Sequence, residues 1–261
     1  MSDEATIVFL DIETAPTMAW VWKRWKENIS QDQVVSESFI MCLCWKILGD
    51  STVRSVAVPD FDPDGKDDRK VVLAAHRLLD AADIVVAHNA KGFDIPTLNA
   101  RFMYYGMSPP SPYKVVDTLD VAKKGFRFGS NKLDSLCAVL FDERKKPHHF
   151  DLWAGCLANE PAAWRRMVSY CKQDVALLER LYLRMRPWIV NHPNVRLLID
   201  DVRRPTCPKC GGARLQKRGY AHTQVGQYPR YQCMDCGGWT RGRYTTMHKD
   251  ERRNVLANVV D

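Results

Sequence analysis

Residues 6–14 read Thr-Ile-Val-Phe-Leu-Asp-Ile-Glu-Thr, and this stretch decides the fold. Ile7 to Leu10 form a short, continuous, partly β-branched apolar run ended by polar residues, the pattern of a fully buried strand. Asp11 and Glu13 follow it. Side chains alternate along extended chain, so a spacing of two sends both carboxylates to one face. Two acids on one face at a strand end repel unless a cation stands between them, and hard divalent ions such as Mg2+ favour such oxygen ligands. Alone, the pair also fits a solvated turn.

Working outward, residues 17–37 hold Trp20, Trp22 and Trp25 among Lys and Arg and read as a helix and loop, with at least two of the indoles expected in the core and terminal bases as the other use for them. Residues 39–48 and 51–58 are strand-like around a Gly49-Asp50 turn. Helical spacing is expected over 69–82, 93–105 (with Pro96 in its first turn), 132–141 and 160–186 (with Pro161 at its start and Pro187 at its end). Strands are expected over 83–87 and 114–117. Strands first, then helix alternating with strand, predict an α/β fold: a mixed sheet covered by helices. Asp200 to Pro205 reads as a linker, after which glycines and aromatics rise and apolar periodicity fades.

The chain has 261 residues, 46% apolar and 26% charged, a soluble globular composition that excludes general disorder. Apolar stretches such as Ile84 to Ala87 fall far short of the ~20 residues of a membrane span. The acidic Met1-Ser-Asp-Glu start runs straight into a strand and does not read as a signal peptide. Nine cysteines without an export signal fit a reduced, cytoplasmic setting. Cys42, Cys44, Cys137, Cys156 and Cys171 read as core filler. Charge is uneven: residues 1–200 hold 26 Lys+Arg against 26 Asp+Glu, whereas 201–261 hold 12 against 5. A basic tail on a neutral body suggests a polyanionic partner, most often nucleic acid.

Asp94 ends His88-Asn-Ala-Lys-Gly-Phe-Asp94, after one expected strand and at the start of a helix, where a carboxylate also serves as a cap. Tyr170 and Asp174 stand at i, i+4 on the long helix and share a face. Taken together, FLDIET around Asp11 and Glu13, HNAKGFD ending at Asp94, and YCKQD from Tyr170 to Asp174 resemble the three motifs of the DEDD, or DnaQ-like, 3′–5′ exonucleases over roughly residues 6–185. The tyrosine four residues before the last Asp marks the DEDDy branch; the other branch has a histidine five residues before it, where this chain has Ser169. The resemblance implies a ribonuclease H-like fold and two Mg2+ or Mn2+ ions held by Asp11, Glu13, Asp94 and Asp174. It further implies Asp11 bridging the ions, Glu13 touching the attacking water, and Tyr170 orienting that water or helping to deprotonate it. His88 reads as structural and Asp117 as a turn or cap residue. Lys123, Lys124, Arg127 and Lys132 form a basic face, and Arg144 to His149 a basic loop, a candidate substrate flap.

Cys207-Pro-Lys-Cys210 and Cys233-Met-Asp-Cys236 are each followed by Gly-Gly. Two CxxC turns complete a tetrahedral site of four cysteines, structural because all four positions are filled by sulfur. The stretch resembles a zinc ribbon. Lys217, Arg218, Arg230, Arg241 and Arg243 lie among aromatics including Tyr231 and Trp239, a pattern suited to phosphates and bases. The expected organisation is an exonuclease domain over 1–200, a ribbon over 205–247 with one Zn2+, and a basic tail over 248–261. The expected activity is a stand-alone metal-dependent 3′–5′ exonuclease releasing nucleoside monophosphates, with DNA favoured over RNA, no membrane partner, and a replication or repair protein as a candidate partner of the ribbon. An RNA 3′-trimming enzyme, a structure-specific endonuclease and a non-catalytic adaptor are the alternatives.

Overall fold

The computed structural model describes residues 5–145, 149–199 and 204–259. The acidic start of the chain, residues 146–148 of the basic loop, residues 200–203 of the expected linker and the last two residues of the tail lie outside the described residues. The chain divides into two compact units, Thr6–Tyr182 and a second one from Leu183 onward.

In the larger unit β1 (Ile7–Thr14) runs on past the apolar stretch, so Asp11 and Glu13 lie within the strand and not beyond it. There follow β2 (Met18–Ala19), β3 (Val34–Ser36), β4 (Ile40–Ile47), β5 (Arg54–Ala57), α1 (Arg69–Asp80), β6 (Ile84–Ala87), α2 (Asp94–Tyr104), β7 (Lys114–Asp117), α3 (Thr118–Gly125), α4 (Leu133–Phe141), α5 (Asp151–Leu157) and α6 (Pro161–Met185). The main sheet has the order β5-β4-β1-β6-β7. Its β5-β4-β1 side is antiparallel, while β6 runs parallel to β1 and β7 to β6. This is the mixed sheet flanked by helices that the sequence predicts. Ile7 to Leu10 and Ile84 to Ala87 are buried throughout, as expected of central strands covered on both faces. Gly49, with φ +98°, makes the β4–β5 turn that a side chain would strain. Helix α6 lies on the face of β1 and β4 that carries odd-numbered β1 residues: the rings of Phe9 and Tyr182 meet at 5.3 Å, and Lys46 pairs with Glu179 at 2.6 Å.

Two sequence expectations are corrected. Residues 17–37 form no α-helix; they make a small hairpin of β2 and β3 around a long loop. Trp20, Trp22 and Trp25 are not core residues but are 76%, 91% and 83% exposed. Their spacing makes no single apolar stripe, and a short helix without a face to dock has little to stabilise it. Helices α3 and α5 add to the elements that the sequence predicts. Asp117 caps α3, accepting from the N–H groups of Leu119 and Asp120, which is the cap role the sequence gives it.

The second unit holds a three-stranded antiparallel sheet, β8 (Leu215–Thr223), β9 (Gly226–Cys233) and β10 (Trp239–Arg241), in the order β10-β9-β8. A short helix, α7 (Lys249–Arg253), follows. Among the described residues no helix is long and apolar enough to cross a membrane.

Candidate active site and metal centres

The β1–β4 register pairs Asp11 with Cys44 and Glu13 with Cys42, so both acids and both thiols face α6. Helix α6 brings Asp174 to them, and Tyr170 stands one turn earlier on the same side. Carboxylate oxygens of Asp11, Glu13 and Asp174 all lie within 4.8 Å of one another. Asp94, the first residue of α2, stands beside this trio. It is 2% exposed, and its carboxylate accepts hydrogen bonds from its own N–H and from that of Ile12, between the two acids of β1.

Such crowding has an electrostatic consequence. Burial, then the charges of Glu13, Asp94 and Asp174, raise the Asp11 carboxyl well above its usual range. Burial and Asp174 push Glu13 up to about 8. Burial pushes Asp94 up to about 7. Asp11 Oδ2 and Asp94 Oδ1 are buried without a hydrogen-bond partner among the described residues. Orphaned, desolvated carboxylate oxygens in an all-oxygen donor set fit hard divalent cations such as Mg2+ or Mn2+.

Burial, then the Asp174 charge, raise the Tyr170 phenol well above its ordinary value, and its hydroxyl donates to Asp174. In the metal-free pocket Tyr170 is therefore an O–H donor. Lys145 also enters the pocket. Its ammonium donates to Asp174 Oδ2 and reaches the Tyr170 hydroxyl at 3.4 Å. Its loop is held by a hydrogen bond from Lys145 N to Asp134 Oδ1 (2.7 Å) and by Gln173 Nε2 donating to Arg144 O (3.1 Å). The sequence marks the loop but not this residue, because a basic run carries no period that would single out one lysine.

His88 is the structural residue expected: its ring nitrogens meet Thr118 Oγ1 and Asn131 O, each at 2.9 Å, and burial lowers its pKa. Asp117 also accepts from the N–H groups of Asn89 and Lys91, tying the loop before Asp94 to β7. Lys123, Lys124 and Arg127 line an open hollow of about 620 Å³ with Phe126 and Phe128, and Lys132 lies outside it. Cys42, Cys44 and Cys171 are buried together behind the acids, and the Cys171 thiol donates to Asp11 O at 3.5 Å.

In the second unit Cys207 and Cys236 have their sulfurs 3.7 Å apart, and Cys210 and Cys233 have theirs at 3.6 Å; all four lie within 4.8 Å of one another. A disulfide needs ~2.05 Å, whereas four sulfurs around zinc at ~2.3 Å stand ~3.8 Å apart. The two turns repeat each other. Gly211 N bonds Cys207 O and Gly237 N bonds Cys233 O, at 2.8 and 2.9 Å. Gly212 N and Gly238 N donate to the sulfurs of Cys210 and Cys236, both at 3.4 Å. Gly211 and Gly237 take φ of +76° and +78°, which explains the glycine after each pair. The Cys207 and Cys210 thiols share a hydrogen bond that lowers the first and raises the second.

The pairing Arg241↔Arg230 puts both arginines on one face of this sheet, with Trp239 and Tyr228. Arg230 stacks over Trp239 at 5.0 Å and Arg241 over Tyr228 at 4.1 Å. Lys217 and Tyr231 are paired across β8 and β9 and share the other face. Arg218 and Arg243 are exposed, so the basic residues read from the sequence divide between two faces and their edges.

The family described as the RNase H superfamily matches residues 36–186, more than half of the chain. No curated protein matches it. Among solved structures, the family B DNA polymerase from the hyperthermophilic archaeon Pyrobaculum calidifontis is similar over 70% of this chain and 25% of its own, with a TM-score of 0.52 and 17% identity. The chain thus spans about a quarter of that polymerase's length, and at this identity the similarity speaks to the fold alone.

Proposed function

The chain belongs to the RNase H superfamily, and from that premise we propose that it is a metal-dependent nuclease, a DEDDy-type 3′–5′ exonuclease that trims nucleic-acid ends to nucleoside monophosphates. The observation that carries this reading is the meeting of Asp11, Glu13 and Asp174, with Asp94 beside them, in one buried pocket with orphaned carboxylate oxygens. These four acids would hold two divalent ions. When bound, such ions lower the pKa of water and stabilise charge on the phosphoryl and leaving oxygens. The acids' part is to present their charge in a desolvated pocket where water screens little. Tyr170, protonated, donates from beside Asp174 and orients a water there. Lys145 brings a cation to the same edge, where a phosphate arrives. DNA is proposed as the favoured substrate, with RNA as the alternative.

The second unit is read as a zinc ribbon over 205–247, followed by a basic tail over 248–261, after a nuclease domain over 1–200. Its stacked cation–aromatic pairs suit a nucleic-acid surface, and tethering would raise local substrate concentration. A replication or repair protein is a candidate partner of the ribbon. The test is incubation of end-labelled single- and double-stranded DNA and RNA with Mg2+ or Mn2+. A one-nucleotide ladder receding from the 3′ end, strongest on DNA, is expected. Internal cuts, or no cutting with either ion, would overturn the reading.

A further inference from the structure

We propose that the loop between β2 and β3 is a stacking platform for single-stranded nucleic acid, with Trp20, Trp22 and Trp25 as base-stacking faces and Lys23, Arg24 and Lys26 as phosphate contacts. The inference deepens the nuclease reading and rests on it for the identity of the ligand.

Three indoles within six residues are each more than three-quarters exposed, and Val21 beside them is half exposed. A tryptophan offers some 150–250 Å² of surface for burial, and three of them exposed on one loop leave several hundred Å² of apolar surface, an amount that marks a binding site when gathered in one patch. The loop is fastened at its base. Met18 pairs with Ser36 and Ala19 with Val34. Trp20 N bonds Gln33 O at 2.9 Å, and Gln33 Nε2 returns a bond to Trp20 O at 2.9 Å. Ser38 Oγ, donating to Ala15 O at 2.6 Å, ties the entry of the hairpin to the start of β4. The aromatic tip is thus displayed from a fixed root.

Charge selects the occupant. The loop holds three cations, all from Lys23 to Lys26 among the indoles, and its two acids, Glu27 and Asp32, follow beyond the last tryptophan. A second copy of this chain would bring like charges together where the two met. A polyanion with exposed aromatic faces satisfies both features, and only unpaired bases offer those faces. The placement suits an enzyme that works on ends: Trp20 is seven residues beyond Glu13 on the same strand path, within roughly 25 Å even if the chain were fully extended.

The experiment uses the full chain carrying Asp11→Asn, so that the strand survives, and reads fluorescence anisotropy of a short dye-labelled single-stranded DNA and of the matching duplex. Replacing Trp20, Trp22 and Trp25 by Ala is expected to weaken single-strand binding on the order of 10- to 100-fold, and duplex binding by less than about twofold. The Phe variants are expected to stay within about threefold of the parent, because a ring is kept. Replacing Lys23, Arg24 and Lys26 by Gln is expected to flatten the salt slope by about 0.7 for each phosphate no longer neutralised. Single-strand affinity unchanged in the Ala variant, or an equal loss for duplex, would overturn the proposal. So would loss of self-association without loss of oligonucleotide affinity. The nuclease reading fails separately: a chain without these substitutions that binds strands through the tryptophans yet never cuts them removes the enzyme and leaves the platform.

Discussion

The acids of the carboxylate pocket come from positions 11, 13, 94 and 174, spread over a strand and two helices; the four clustered cysteines come from two turns, 207–210 and 233–236, that repeat one backbone pattern. The pocket exists only when the sheet and α6 are packed, so a large core holds it open and its acids repel one another meanwhile. The four cysteines are positioned by local glycine turns, and the small sheet around them has few buried aliphatic residues. In the first region the fold stabilises the site; in the second the metal would stabilise the fold. Hard oxygen donors in one and soft sulfur in the other would select different kinds of cation.

The contrast is broken most directly by removing one acid. Asp11→Asn or Asp174→Asn is expected to lower hydrolysis by about 1,000-fold or more while the melting temperature holds or rises, since a repelling charge is gone. Hydrolysis near the parent rate would show that the pocket is not the reacting centre. Tyr170→Phe is expected to slow turnover by about 10- to 100-fold with the fold unchanged. A rate equal to the parent's would make the hydroxyl purely structural. Cys233→Ser should do the opposite of the acid variants. Zinc content falls to near zero, nucleic-acid affinity drops by roughly 10-fold, and turnover on saturating substrate stays within about threefold. If zinc analysis finds the ribbon still loaded, three sulfurs suffice and the account of its stability is wrong.

The pH dependence sharpens the comparison from the other side. Without divalent ions, Glu13 is held up at about 8 and Asp94 at about 7, above the ~4 of exposed carboxylates. The folded state then binds more protons than the unfolded one. Stability from these groups is full below ~pH 4 and is lost as pH rises through 7 to 8. Melting of the protein in Mg2+-free buffer is expected to fall by several degrees between pH 6 and pH 9, and Mg2+ should restore most of the loss. A melting temperature that rises with pH over this window would contradict the crowding of the acids. The smallest effect belongs to the ribbon surface. Arg230→Gln or Arg241→Gln should each weaken binding a few-fold and reduce the salt slope by about one, measured by anisotropy across a salt series.

Much of this is legible in the chain because the signals are local or periodic. The spacing of two in Asp11-Ile-Glu13 and of four in Tyr170 to Asp174 survives folding unchanged, and so do the glycines after each CxxC pair. The mixed sheet follows from the apolar runs at 7–10 and 84–87. Lys145 is not legible as a pocket residue, because its position depends on where Asp134 and Gln173 anchor its loop. The tryptophans mislead for a related reason. Indoles are usually buried where a partner face exists, and sequence does not say that residues 20–25 lack one. Helices α3 and α5 span only eight and seven residues, too short for a periodic pattern to stand out.

The central claim is that acids distant in sequence form one two-cation site. Counting Mn2+ bound per chain by electron paramagnetic resonance, on protein prepared without chelators, tests it most directly. The account predicts two Mn2+ in the parent and loss of at least one in each of Asp11→Asn and Asp174→Asn. Binding that is the same in the parent and both variants would contradict it.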